Sequence, residues 1–312
     1  MSIGRISYYE VFPSGLVTFW LSVVMSATAS ILMGVMAMLG FGVSDFIAKA
    51  VLTKANAVRT ALISQGVGSL LYVGAGLGFD RGLPNMSLVG LALFSGILSG
   101  ATISGYYVAL SLGKASLVAP IFSCLTVVAV TLSVLILGEN LTIPQLSAIA
   151  LVFLGIVLVA FEKRSGETDL SRKLSVIVAL AAAVMAGANL ILQKWIAESG
   201  HYLTGFAITR VSMMAVLIVP LALMPGQETR SVGGTWSWLK LCLLGVIDVS
   251  AFFAWYLGLR VGLVSIVTPI VTSSPAVTVI LAYIFLKERV RTHQRIGILA
   301  IISGIVFLSA IS

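Results

Sequence analysis

Charge is scarce in this sequence. Lys, Arg, Asp and Glu make up 10% of the 312 residues, while hydrophobic residues make up 59%. A soluble domain needs about 25% charged residues to dress its surface. Water therefore does not solvate most of this chain, and lipid must. Cysteine and histidine are scarce too. Cys124 and Cys242 both lie in apolar stretches, so they supply neither a disulfide framework nor a metal cluster. His201 and His293 fall near expected loops, far apart, so a buried Ser–His pair is excluded. The sequence has no HExxH for zinc and no GxxxxGK[ST] for ATP. It has no TVGYG-like filter loop either. Neither a metal nor a cofactor is expected, and an enzyme is disfavoured. The net charge of +8 does not point to nucleic acid, because there is no soluble domain to carry a clustered basic face.

What the chain does have is long apolar runs. A helix rises about 1.5 Å per residue and the hydrocarbon layer is about 30 Å thick, so a run of about 18 residues spans it. Ten such spans are expected, near 31–50, 57–79, 87–109, 115–137, 143–161, 174–196, 203–223, 236–259, 263–286 and 296–312. The links are short and carry Gly, Pro or Asn, as in DRGLPN at 80–85 and GENLTIP at 138–144, which suits tight turns. Residues 163–173 are charged and form a linker at mid-chain. Residues 1–30 form an N-terminal extension of uncertain status. It is a lengthening of the first span, an extra span, or a stretch upstream of a start near Met25, the last being favoured.

The chain also repeats itself. YVALSLGKASLVAPI, from Tyr107 to Ile121, returns as YLGLRVGLVSIVTPI, from Tyr256 to Ile270. Glu139 then matches Glu288, Gln145 matches Gln294, Gly96 matches Gly245, and the Gly-Ile-Val at 155–157 matches that at 304–306. Gly42 and Lys49 fall on Gly187 and Lys194. Residues 31–162 and 174–312 are therefore two copies of a five-helix unit. Five is odd, so the second copy enters the membrane in the opposite sense. The expected fold is an all-α polytopic membrane protein with two inverted five-helix repeats. Such repeats serve alternating access around a site between them.

These residues resemble the drug/metabolite transporter superfamily, and within it the EamA-type ten-helix transporters. The resemblance rests on the repeated Tyr…Leu…Pro stretch, on Glu139 in LGENLTIPQ, on Glu288 in LKERVRTHQ, and on the paired Gly-Ile-Val. It covers roughly residues 31–312, and departs where Lys287 replaces the Gly138 of the first copy. The resemblance implies export or exchange of small metabolites, often amino acids. It also implies a cavity among spans 1, 3, 4, 6, 8 and 9.

Polar residues inside the spans are the site candidates, because each is costly in lipid unless it meets a cavity or a partner. Asp248 sits mid-way along the eighth span, with Phe252 and Trp255 on its face at i+4 and i+7. Ser99, Thr102 and Tyr106 stand in the matching face of the third span. Asp45 precedes Lys49 by one turn, so it either faces a cavity or pairs within its helix. Asn189 and Gln193 form a polar face on the sixth span. Arg210, in the seventh, either meets a substrate carboxylate or snorkels to the interface, the latter being favoured. Pro120, Pro269 and Pro275 are expected to kink spans four and nine, exposing a cavity wall near Ser123, Thr272, Ser273 and Ser274. Glu139 and Glu288 are expected to cap helices or pair in loops. GILSG (Gly96, Gly100) and GAGLG (Gly74, Gly78) read as helix-packing faces.

The expected partners are a small-molecule substrate and the lipid bilayer of the cell (inner) membrane, for a monomer or a homodimer. A coupling proton, on Asp248 or Asp45, and passive exchange both remain open. So does orientation. Basic residues crowd the links after spans five and nine. That clustering puts those links in the cytoplasm and both termini outside, whereas the resemblance implies cytoplasmic termini.

Overall fold

The computed structural model describes residues 17–52, 57–80, 84–112, 118, 121–160, 169–223, 235–287 and 290–311. Among them there is no strand. The helices are α1 (Val17–Leu52), α2 (Ala57–Phe79), α3 (Met86–Leu112), α4 (Leu125–Leu137), α5 (Ile143–Ala160) and α6 (Asp169–Ala197). They continue with α7 (Tyr202–Leu223), α8 (Thr235–Val261), α9 (Val264–Val271), α10 (Ser274–Leu286) and α11 (Thr292–Ile311). A chain with no water around it must satisfy its backbone internally, and the helix does so within one segment. The outer faces carry the side chains that lipid solvates, such as Leu70, Leu77 and Leu135, each more than 70% exposed. This is a multi-pass membrane protein.

The ten expected spans are present, and not all are continuous. The ninth is two helices, α9 and α10, turning at Thr272 and Ser273. The reason lies in its prolines. Pro269 stands inside α9 and Pro275 at the start of α10, and each lacks a backbone N–H. Side-chain hydroxyls brace the turn: Ser273 Oγ donates to Pro269 O at 2.7 Å, and Thr272 Oγ1 donates at 2.8 Å to Thr268 O, which also accepts the Thr272 N–H. A turn at Ser123 and Cys124 likewise precedes α4 in the fourth span. Pro120 itself lies outside the described residues.

The two repeats pack on each other by one rule applied twice. α1 lies on α8 as α3 lies on α6, and α2 lies on α8 as α3 lies on α7. α5 crosses α11, its own mate. Single contacts repeat the exchange. A Cβ at Gly42 would stand 2.4 Å from Cβ of Val277, and one at Gly187 2.7 Å from Cβ of Val128, the mate of Val277. In the α5–α11 crossing, a Cβ added at Gly155 would stand 2.8 Å from Ile301 Cγ1, and one at its mate Gly304 2.6 Å from Val152 Cγ2. Contacts that survive exchange of the halves are the signature of a pseudo-two-fold axis. With five spans in each half, that axis relates inverted copies.

Two caps continue the pattern. Gly138 ends α4 at φ 68°, and Lys287 ends α10 at φ 54°, so the same left-handed turn is kept where the residue departs. Glu139 does not pair in its own loop. Its carboxylate accepts from Val264 N at 2.7 Å, from Ser265 N at 3.0 Å and from Ser265 Oγ, and so caps α9 of the other repeat. The mate, Glu288, lies outside the described residues. The packing expectation for glycines holds for Gly96 and Gly100, which approach α7. It fails for Gly74 and Gly78, where nothing lies within 4 Å of an added Cβ. GAGLG sits near the end of α2, where Gly76 meets Thr204 of α7, while among the described residues nothing stands opposite the face that Gly74 and Gly78 share.

Candidate functional site: a central cavity between the repeats

A cavity of about 600 Å³ opens between the two halves, within the usual range for small-molecule sites of ~300–1,000 Å³. Helical spacing delivers its walls. α3 contributes Ser99, Thr102, Ile103 and Tyr106, and α6 contributes Ala186, Asn189, Leu190 and Gln193, each set at i, i+3, i+4 and i+7. α1 adds Phe41 and Asp45, and α8 adds Phe252, Trp255 and Tyr256. Thr272, Ser274 and Pro275 come from the broken ninth span.

The aromatic wall is held edge to face. Phe41 meets Phe252 at 4.6 Å and Trp255 at 5.8 Å between ring centroids, both nearly perpendicular. Across the cavity Tyr106 packs on Phe122 at 4.5 Å. Such pairs fix ring orientation without consuming hydrogen-bonding groups. The indole Nε1 of Trp255, Oγ1 of Thr102 and Oε1 of Gln193 are buried with no partner.

Polar groups sit in two related clusters. On the α6–α3 side, Ser95 Oγ donates to Asn189 Oδ1 at 2.8 Å, and Asn189 Nδ2 donates to Ser99 Oγ at 2.7 Å. On the α1–α8 side Ser44 bonds Asp248. Ser99 and Asp248 are repeat mates, and so are Asn189 and Ser44. The same polar link therefore ties both helix pairs, neutral in one half and charged in the other.

The charged half carries more. Gln65 Nε2 donates to Asp248 Oδ2 at 2.9 Å, and Gln65 Oε1 accepts from Arg210 Nη1. Gln65 thus bridges an acid and a base that do not touch directly. The Arg210 guanidinium lies 3.7 Å over the Phe252 ring, with Tyr72 at 5.6 Å. Behind it Phe206 and Tyr256 stack at 3.5 Å. Arg210 is 2% exposed, so it does not snorkel. The reason is position: it stands on the face of α7 turned to α2 and α8, where Gln65 and the rings receive it, and not toward lipid.

Of the sequence candidates, Asp45, Asn189, Ser99, Tyr106, Phe252 and Trp255 come together around the cavity. Asp45 is exposed there. The Lys49 side chain lies outside the described residues. Asp248 shares a helix face with Phe252 and Trp255, yet it stands behind the wall, because Gln65 and Ser44 hold it between helices. Pro269 and Ser273 are buried and do not line the cavity. Their turn packs inward, and Thr272, Ser274 and Pro275 make the wall instead. Gln65 was not singled out from the sequence, though a lone Gln in ALISQGVGSLL is the signal that marks it.

Comparison with known proteins agrees with this architecture. The sequence profile of the EamA-like transporter family matches twice, over residues 28–161 and 173–310. The chain belongs to that family. It is a membrane transporter, and each match covers one five-helix repeat. An uncharacterized protein of Methanocaldococcus jannaschii is 32% identical over 135 residues, 43% of this chain and 96% of that protein. Its matched length is that of a single repeat. Protein PecM of Dickeya dadantii is 24% identical over 197 residues, 62% of this chain and 65% of PecM. A solved crystal structure of a protein shares the fold with a TM-score of 0.76 at 17% identity, over 91% of this chain and 99% of that one.

Proposed function

We propose that the protein is a secondary carrier of the cell (inner) membrane. It exports or exchanges small metabolites such as amino acids by alternating access. The observation that carries this reading is the central cavity, whose walls come from matching positions of two inverted repeats. Two conformations related by exchanging the halves would open it to opposite sides. Its mixed wall, mostly apolar with a few convergent polar groups, fits a small amphipathic solute.

Charge arithmetic supports a coupling proton. Among the described side chains, Arg210, Asp45 and Asp248, all ionised, leave one excess negative charge around the cavity. An occluded state in lipid disfavours that excess. A proton on the Asp45–Asp248 pair, whose carboxylates interact electrostatically, removes it.

The test is counterflow and uptake of amino acids and small metabolites in proteoliposomes, with and without a pH gradient. The wild type is run beside Asp248→Asn and Asp45→Asn. Movement that the gradient accelerates, with that response lost in one of the variants, supports proton coupling. Gradient-independent movement in the wild type leaves passive exchange. A folded protein that moves nothing in the panel contradicts the carrier reading.

A further inference from the structure

We propose that Arg210 is an anion subsite of the central cavity, and that its Nε–Nη2 edge takes a carboxylate group of the transported solute. The inference rests on the carrier reading and assigns its substrate class: small carboxylates, free or as zwitterions.

A guanidinium has five N–H donors in a fixed plane and does not lose its charge in proteins. Here that plane is fixed on every side except one. The Phe252 ring covers its face at 3.7 Å. Nη1 donates to Gln65 Oε1, which sets the roll of the group. Nε and Nη2 are buried with no partner within hydrogen-bonding distance, though the Tyr256 hydroxyl stands close to the guanidinium. These two atoms form one edge of the guanidinium, with parallel N–H bonds spaced to meet both oxygens of a carboxylate. Among the described residues no carboxylate occupies that edge. Asp248, the nearby candidate, is engaged by Gln65 and Ser44.

Buried charged donors left unpaired are costly, and native structures rarely keep them without a reason. Arg210 is among the residues that line the cavity. The unpartnered Trp255 Nε1 and Thr102 Oγ1, on facing walls, are further donors for a polar solute. A fork held flat by an aromatic ring is pre-organised, so little freedom is lost when the carboxylate docks.

The experiment compares carboxylates with their primary amides. Purified protein is melted with 3-phenylpropanoate against 3-phenylpropanamide, with leucine against leucinamide, and with a series of short monocarboxylates. The same solutes, and amines with no carboxylate, are then followed by counterflow. Carboxylates are expected to raise the melting temperature of the wild type, and the matched amides are not. Arg210→Lys keeps the charge but loses the fork, and should weaken carboxylate binding roughly tenfold or more. Arg210→Gln should abolish it. The wild-type comparison needs no variant, so a misfolded variant does not remove the test. Amides equal to carboxylates, or no carboxylate shifting the wild type, overturns the proposal. So does undiminished carboxylate binding in a folded Arg210→Lys. Movement of carboxylate-free amines alone overturns this subsite yet keeps the carrier.

Discussion

Replacing Glu139 tests how the two halves are joined. Its carboxylate is 7% exposed and receives three hydrogen bonds at the start of α9: two backbone N–H groups and the Ser265 hydroxyl. Hydrogen bonds to a charged group contribute about 1.5–3 kcal/mol each, and an orphaned buried N–H costs about 1–3 kcal/mol. Burying the carboxylate offsets part of this sum. Glu139→Ala leaves Val264 N and Ser265 N without a partner and should cost about 3–5 kcal/mol, as for breaking a buried charged contact. Glu139→Gln keeps one carbonyl acceptor and turns an NH₂ toward a donor, so about 1–3 kcal/mol is expected. Ser265→Ala removes one bond only, at about 1 kcal/mol. At roughly 2–4 °C per kcal/mol, the Ala variant should melt on the order of 10 °C below the wild type. Thermal melts of the purified protein in detergent, read by thiol-reactive dye or by retention of the folded peak, give the order Ala, Gln, Ser265→Ala. An Ala variant melting within a degree of the wild type would refute the argument, because water would then be capping α9 equally well.

Other substitutions probe the pseudo-symmetry and the caps. Gly42→Ala and Gly187→Ala each push a methyl group into a valine of the facing helix. Each should cost ~1–3 kcal/mol, by similar amounts, in the same melts. Lys287→Gly relieves a left-handed residue at the end of α10 and should be neutral or stabilise by up to ~1 kcal/mol, whereas Gly138→Lys in the mate turn should destabilise. The Lys194 ammonium donates to the carbonyls of Leu259 and Gly262, at the end of α8, and pairs with Glu198 at 2.9 Å. Lys194→Met removes that cap and should lower stability by ~1–2 kcal/mol, with Lys194→Arg recovering part of it.

The architecture was legible because the chain says the same thing twice. Ten apolar runs gave the spans, and a repeated stretch with an odd helix count gave the inversion. The halves of the cavity wall followed from helical spacing: Ser99, Thr102 and Tyr106 in one, Phe252 and Trp255 in the other. What could not be read was which polar groups would find each other across helices. Arg210 looked like a snorkelling residue, because hydropathy does not say which way a helix is turned. Gln65 carried no charge to attract notice, yet it joins Arg210 to Asp248. Asp248 sat on the right face of its helix and still ended behind the wall, because Ser44 and Gln65 approach from other spans. Pro269 and Ser273 were expected at a kink lining the cavity, but a turn has an inner and an outer side. Only packing assigns them.

Alternating exposure of the cavity is the central claim, and site-directed thiol labelling tests it most directly. Cys124 and Cys242 are the sequence's two cysteines, so a cysteine-free background needs two substitutions. Ile103→Cys then places one thiol in the cavity wall. A membrane-impermeant thiol reagent is added to one side or the other of oriented vesicles, with and without a transported solute. The account predicts reaction from either side, with the solute speeding labelling from one side as it slows labelling from the other. Labelling from one side only, unchanged by any solute that the protein moves, would contradict it.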